Sequence, residues 1–200
     1  MNDLLKGTNV FLIGMMGAGK TSVGKLLAGQ LGYGFVDTDE LIEKVAGKTI
    51  NKIFADDGED EFRQLEGKVL SELSAYTRLA IATGGGIVVR RFNWSYLHHG
   101  LIVWLDAPVE VLINRLQNDT TRPLLQNPNP AQALQKLLDQ RRSLYAEADL
   151  HIPVNATDTP EAIASRIITE IPTVLKSPAI ARSAVPEAIA PSTPNEGISG

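Results

Sequence analysis

The chain has 200 residues, 44% hydrophobic and 21% charged, with a formal net charge of −4 and no cysteine. That length suits one domain with a single substantial core, and the charge disfavours broad, non-specific contact with nucleic acid while allowing a small anion in a locally cationic pocket. Disulfides and thiolate metal sites are excluded, no stretch reaches the roughly 18 apolar residues of a membrane span, and the N-terminal apolar run is too short for a secretory leader. A soluble cytoplasmic protein is expected, or a stromal one if its source has plastids.

In chain order, "NVFLIG" (Asn9 to Gly14) reads as a buried strand ending in glycine. "KTSVGKLLAGQLG" places Val23, Leu26, Leu27 and Leu31 at helical spacing, with Gly32 as its stop. "YGFVDTD" is a second short strand ending in acids, and "DELIEKVAG" a helix with Asp39 near its start. The span from Thr49 to Tyr76 reads as two amphipathic helices divided near "ADDGED", and "RLAIATGGG" as a third strand running into glycines. "LIVWLDAP" is a fourth strand, with Pro108 placed to open the helix of "PVEVLINRLQ". Asn129 caps a helix through "NPAQALQKLLDQRRSLY", "LHIPV" is a fifth strand, and Thr159-Pro160-Glu161 starts a last helix. Strands alternating with helices predict a parallel sheet covered on both faces, with ligands at the strands' carboxyl ends. The domain is expected over 1–176. The remainder, 177–200, has four prolines and no aromatic residue, and is expected to be a disordered tail without catalytic role.

"GMMGAGKT", between a strand and a helix, fits G-x-x-x-x-G-K-T, whose backbone N–H groups cradle phosphates. Gly17, Ala18, Gly19, Lys20, Thr21 and Ser22 are the expected nucleotide contacts, with Lys20 on the β- and γ-phosphates and the Thr21 hydroxyl on Mg²⁺. The motif names a donor and not an acceptor. In "FVDTDE", strand alternation would point Asp37 and Asp39 the same way, one to hold the metal through water and one to take a proton from an attacking hydroxyl. A helix cap is the competing role for Asp39.

"EFRQLEGK" sets Arg63 and Glu66 three residues apart on one helix face, either a surface ion pair or an arginine held by a carboxylate to bind a substrate carboxylate. Three glycines in "ATGGGIV" imply tight turns or close approach of bare backbone to a ligand. Arg122 in "TTRPLL" suits a closing lid that neutralises the transferring phosphoryl group. Arg115, two helical turns earlier, could flank the adenine, and Arg141 is a second anion-binding candidate. His98 and His99 read as surface residues, Trp94 and Trp104 as core.

Six pieces, "GMMGAGKT", "DTD", "FRQLE", "TGGG", "TRPLL" and "RRSLY", follow one another as in the shikimate kinases, and residues 8–172 resemble that family. The resemblance implies the three-layer α/β fold of P-loop kinases, with a five-stranded parallel sheet, helices on both faces, and lid and substrate-binding segments. It further implies phosphorylation of the 3-hydroxyl of shikimate by ATP with Mg²⁺, in aromatic amino-acid biosynthesis. By motif, Asp39 matches the acid that binds shikimate hydroxyls and acts as base, and Asp37 the acid near Mg²⁺ through water. Arg63 and Arg141 match the pair that clamps the shikimate carboxylate, with Arg142 an alternative to Arg141. Gly85 and Gly86 match backbone contacts to substrate, Arg122 the lid arginine, Arg115 the arginine near adenine, and Asn155 to Thr157 the adenine-side loop by position. "NWSYLHHG" resembles plant and cyanobacterial members. The expected partners are ATP and shikimate, with no nucleic acid, no membrane and a monomeric state.

From the residues alone, two other readings stand. One is a kinase for another small acceptor, gluconate or a nucleoside monophosphate. The other is a regulatory protein that binds nucleotide without transferring phosphate; the presence of Lys20, Asp39 and Arg122 opposes it.

Overall fold

The computed structural model describes residues 4–117, 119 and 123–175. Arg122 and the expected tail, 177–200, lie outside them. Five strands, β1 (Val10–Ile13), β2 (Gly34–Asp37), β3 (Leu79–Ala82), β4 (Leu101–Asp106) and β5 (Leu150–Pro153), form one sheet in the order β2-β3-β1-β4-β5, and every pairing is parallel. Between them run α1 (Lys20–Leu31), α2 (Thr38–Ala46), α3 (Ile50–Asp56), α4 (Gly58–Ser74), α5 (Arg91–Leu97), α6 (Val109–Leu116) and α7 (Pro130–Tyr145), and α8 (Pro160–Leu175) follows β5. The helices cover both faces, α1 packing with α8, α4 with α5, and α6 with α7. The central strand β1 is wholly buried, as a strand covered on two sides must be, and this is why its sequence is continuously apolar rather than alternating.

Local chemistry sets the boundaries. Gly32 ends α1 in the left-handed conformation, and its N–H bonds Ala28 O. The Asn129 side chain accepts from Gln132 N and caps α7. Gly58, at φ +85°, turns the chain between α3 and α4, at the division expected from "ADDGED". Gly24 lies mid-helix in α1 for packing: a Cβ there would stand 2.6 Å from the Phe35 ring and 3.2 Å from Leu12. Trp94 and Trp104 are core, and His98 and His99 are exposed.

Two features depart from expectation. Helix α5 was not anticipated, because seven residues with no capping side chain give too little periodicity to read. It is held instead by Asn93 Nδ2 on Ile87 O (2.8 Å) and Trp94 Nε1 on Val88 O (3.0 Å). Strand β2 stops at Asp37, so Asp39 lies in the first turn of α2 and not on the strand.

Candidate active site

The phosphate loop leaves β1 at Gly14, where φ is +136° and a Cβ would meet Leu105 O at 2.5 Å; glycine is required twice over. The loop ends at Gly19, which enters α1 with no side-chain cap, and no acid stands in the first turn. A helix start of this kind leaves its N–H groups and positive dipole end available to an anion. Lys20 is buried, and its Nζ donates to the loop's own carbonyls, Gly14 O (2.9 Å) and Met15 O (2.8 Å).

A cavity of about 310 Å³ faces the loop. It brings Gly17, Gly19, Lys20, Thr21 and Ser22 together with Asp37, Asp39, Gly85 and Arg115. Thr21 Oγ1 donates to Asp37 Oδ2 at 2.7 Å, while Asp37 Oδ1 accepts from Asp39 N at 2.9 Å and Glu40 N at 3.5 Å. The capping role weighed for Asp39 therefore falls to Asp37. The two carboxylates share the cavity because the chain turns from strand to helix between them; pleat alternation is not the cause.

Opposite the loop, two of the three glycines have a steric reason. A Cβ on Gly84 would stand 2.7 Å from Asp39 Oδ1 and 3.1 Å from Glu66 Oε1, and its N–H bonds Thr38 Oγ1 at 3.0 Å. One on Gly86 would overlap the Arg63 guanidinium, whereas one on Gly85 would meet Gly14 O and Met16 N at 3.4 Å, about ordinary contact. "TGGG" thus lets one turn pass between the phosphate loop, Asp39 and Arg63.

The Arg63–Glu66 pair is interior and not a solvated surface pair. Its side chains are 10% and 0% exposed, with Arg63 NH1 on Glu66 Oε2 at 3.1 Å and Arg63 NH2 on Glu59 Oε1 at 3.0 Å. Glu66 Oε1 is buried without a hydrogen-bond partner among the described residues. Burial pushes the Glu66 pKa up from 4.5, and the nearby Asp39 carboxylate adds to this, against the pull of Arg63 and Arg141. An acid raised by folding favours the folded state most when protonated. Its contribution is thus greatest below about pH 4.5 and is lost as pH rises through the raised folded value. Glu66→Gln should flatten that decline in chemical-denaturation stability measured from about pH 4 to 8; a steeper decline in the variant would contradict the assignment.

The adjacent arginines of α7 diverge. Arg141 NH1 donates to Gly85 O at 3.1 Å. Arg142 NH1 instead meets Asp106 Oδ2 at 3.3 Å and lies 5.7 Å from the centre of the Trp104 ring. Only Arg141 joins the glycine turn. Arg115 reaches over the phosphate loop to Ala18 O (3.2 Å) and Gly17 O (3.4 Å), and the loop Asn155 to Thr157 follows β5. Tyr145 was missed: it is fully buried, and its hydroxyl donates to Gly85 O at 2.6 Å. Its place four residues after Arg141, on the same helix face, was the available signal.

A family model for shikimate kinase matches residues 16–172. A shikimate kinase of Nostoc sp. is 60% identical over 179 residues, covering 90% of this chain and 99% of that protein. One of Synechococcus elongatus is 55% identical over 175 residues, covering 88% and 92%. Among solved structures, a shikimate kinase from Acinetobacter baumannii in complex with shikimate superposes with a TM-score of 0.81 at 41% identity, covering 85% of this chain and 96% of that one. A gluconokinase from Sinorhizobium meliloti, 17% identical with a TM-score of 0.54, shares the fold alone. The matched span runs from the phosphate loop into α8, and from that span and these identities the chain belongs to the shikimate kinase family.

Proposed function

We infer that the chain transfers the γ-phosphoryl group of ATP to the 3-hydroxyl of shikimate, giving shikimate 3-phosphate and ADP, a step of aromatic amino-acid biosynthesis. Family membership supports the reaction. The observation that carries it to these residues is the glycine turn: Asp39, Arg63 and Arg141 all lie against it, and Asp39 and Gly85 face the phosphate loop across the cavity, which Arg63 and Arg141 do not line.

In this reading the backbone from Gly17 to Ser22 holds the phosphates, and Lys20 exchanges its two loop carbonyls for β- and γ-phosphate oxygens. Arg115 lies on the adenine side. Arg63 and Arg141 bind the shikimate carboxylate, with Glu66 and Glu59 fixing the Arg63 fork. Gly85 and Gly86 offer backbone to the substrate, and Asp39 accepts the hydroxyl proton as the oxygen attacks phosphorus. Arg122 enters on its motif alone, as the lid cation that offsets charge on the transferring group.

Hard oxygen donors at the phosphate loop, Thr21 Oγ1 and Asp37 Oδ2, suit Mg²⁺. Among the described residues no cluster of three or more acidic, histidine or cysteine side chains could hold a metal, so Thr21 and Asp37 (through water) would share it with phosphates and solvent. Bound there, Mg²⁺ would neutralise phosphate charge. The domain is taken as 1–176, acting as a cytoplasmic monomer with no nucleic-acid or membrane partner; among the described residues no helix is long and apolar enough to cross a bilayer.

An acceptor panel tests this reading. ADP release with ATP and Mg²⁺ should depend on shikimate and stay at background with gluconate or AMP. Preference for either of those would overturn the shikimate assignment.

A further inference from the structure

The carbonyl of Gly85 accepts two hydrogen bonds, one from Arg141 NH1 at 3.1 Å and a shorter one from Tyr145 Oη at 2.6 Å. Both donors come from one face of α7, a single turn apart. The Tyr145 ring is fully buried and stacks on Trp104 with centroids 5.8 Å apart, and its hydroxyl also lies 3.6 Å from Met15 Sδ in the phosphate loop. Burial pushes the phenol pKa up from 10.0, against the pull of Arg141 and Arg63, so the hydroxyl keeps its proton and remains a donor.

From this arrangement we propose that Tyr145 is a positioning residue for the acceptor. Its hydroxyl holds the Gly85 carbonyl so that Arg141 gives that oxygen one bond, the longer of the two, and keeps the rest of its guanidinium for a substrate carboxylate. This rests on the functional reading above. A backbone carbonyl buried in this turn must be paired. Without the phenol, Arg141 is the only one of the two donors left, and it is drawn towards Gly85 in competition with the substrate.

Tyr145→Phe removes one oxygen and retains the ring and its stacking. The KM for shikimate should rise by about three- to tenfold, the worth of one net hydrogen bond, with kcat and the KM for ATP within about twofold. This is the pattern of a lost contact made equally in the ground and transition states. An unchanged shikimate KM would overturn the proposal. So would a matching rise in the KM for ATP, expected of a merely structural role because Tyr145 also touches Met15. If Tyr145→Phe does not fold, 3-fluorotyrosine at 145, a stronger donor of nearly the same shape, should hold or lower the shikimate KM; a rise would overturn the proposal. Lack of shikimate turnover by the unaltered chain would sink the functional reading and this inference together, whereas an active chain indifferent to Tyr145→Phe would sink the inference alone.

Discussion

Asp39→Asn lowers kcat for shikimate-dependent ADP release by about 10²- to 10⁴-fold, the usual span of general-base catalysis, with ATP affinity little changed. The amide keeps the shape of the carboxylate beside Gly84, where there is no spare room, but it cannot take the hydroxyl proton. Asparagine at 39 also leaves the Asp37 cap of α2 and the Thr21–Asp37 hydrogen bond in place, so the nucleotide side is spared. Steady-state kinetics with isothermal titration of ATP separates the two effects. A fall in kcat of less than about tenfold would reduce Asp39 to an orienting group, well short of a general base's span.

Arg63→Ala has the second largest effect and a compound phenotype. The kcat/KM for shikimate falls by about 10²- to 10³-fold, as expected when one partner of a desolvated charge pair is removed, while the KM for ATP moves little. Stability falls by about 3–5 kcal/mol, because Glu66 is left buried without its cation and must either stay charged there or take up a proton. The two losses are separable. Adding Glu66→Gln should restore much of the stability and none of the kcat/KM. Equal losses of ATP and shikimate affinity would make Arg63 a structural residue.

Much of this site was legible because its chemistry is written in residue types that serve few other purposes. A glycine-rich turn with Lys20 and Thr21 between a strand and a helix has a narrow meaning, and the sheet places such motifs at its carboxyl edge. What the sequence left open depended on a rotation or a boundary of one or two residues. Arg141 and Arg142 are indistinguishable in "RRSLY", yet about 100° of helical rotation sends one to Gly85 and the other to Asp106. Ending β2 at Asp37 gives the cap to that residue and brings Asp39 into the cavity by a route that alternation does not describe. Burial also escaped the sequence: Arg63 and Glu66 read equally well as a surface pair until α4 is packed against the glycine turn. Tyr145 passed unnoticed because its role depends on a carbonyl sixty residues earlier in the chain.

The most direct test follows the phosphoryl group itself. The chain, incubated with ATP, Mg²⁺ and shikimate, is monitored by ³¹P NMR. A phosphomonoester resonance coupled to the proton on C3 of shikimate should grow as the γ-phosphate signal of ATP declines. The absence of that resonance, or loss of ATP at the same rate without shikimate, would contradict the transfer inferred for this site.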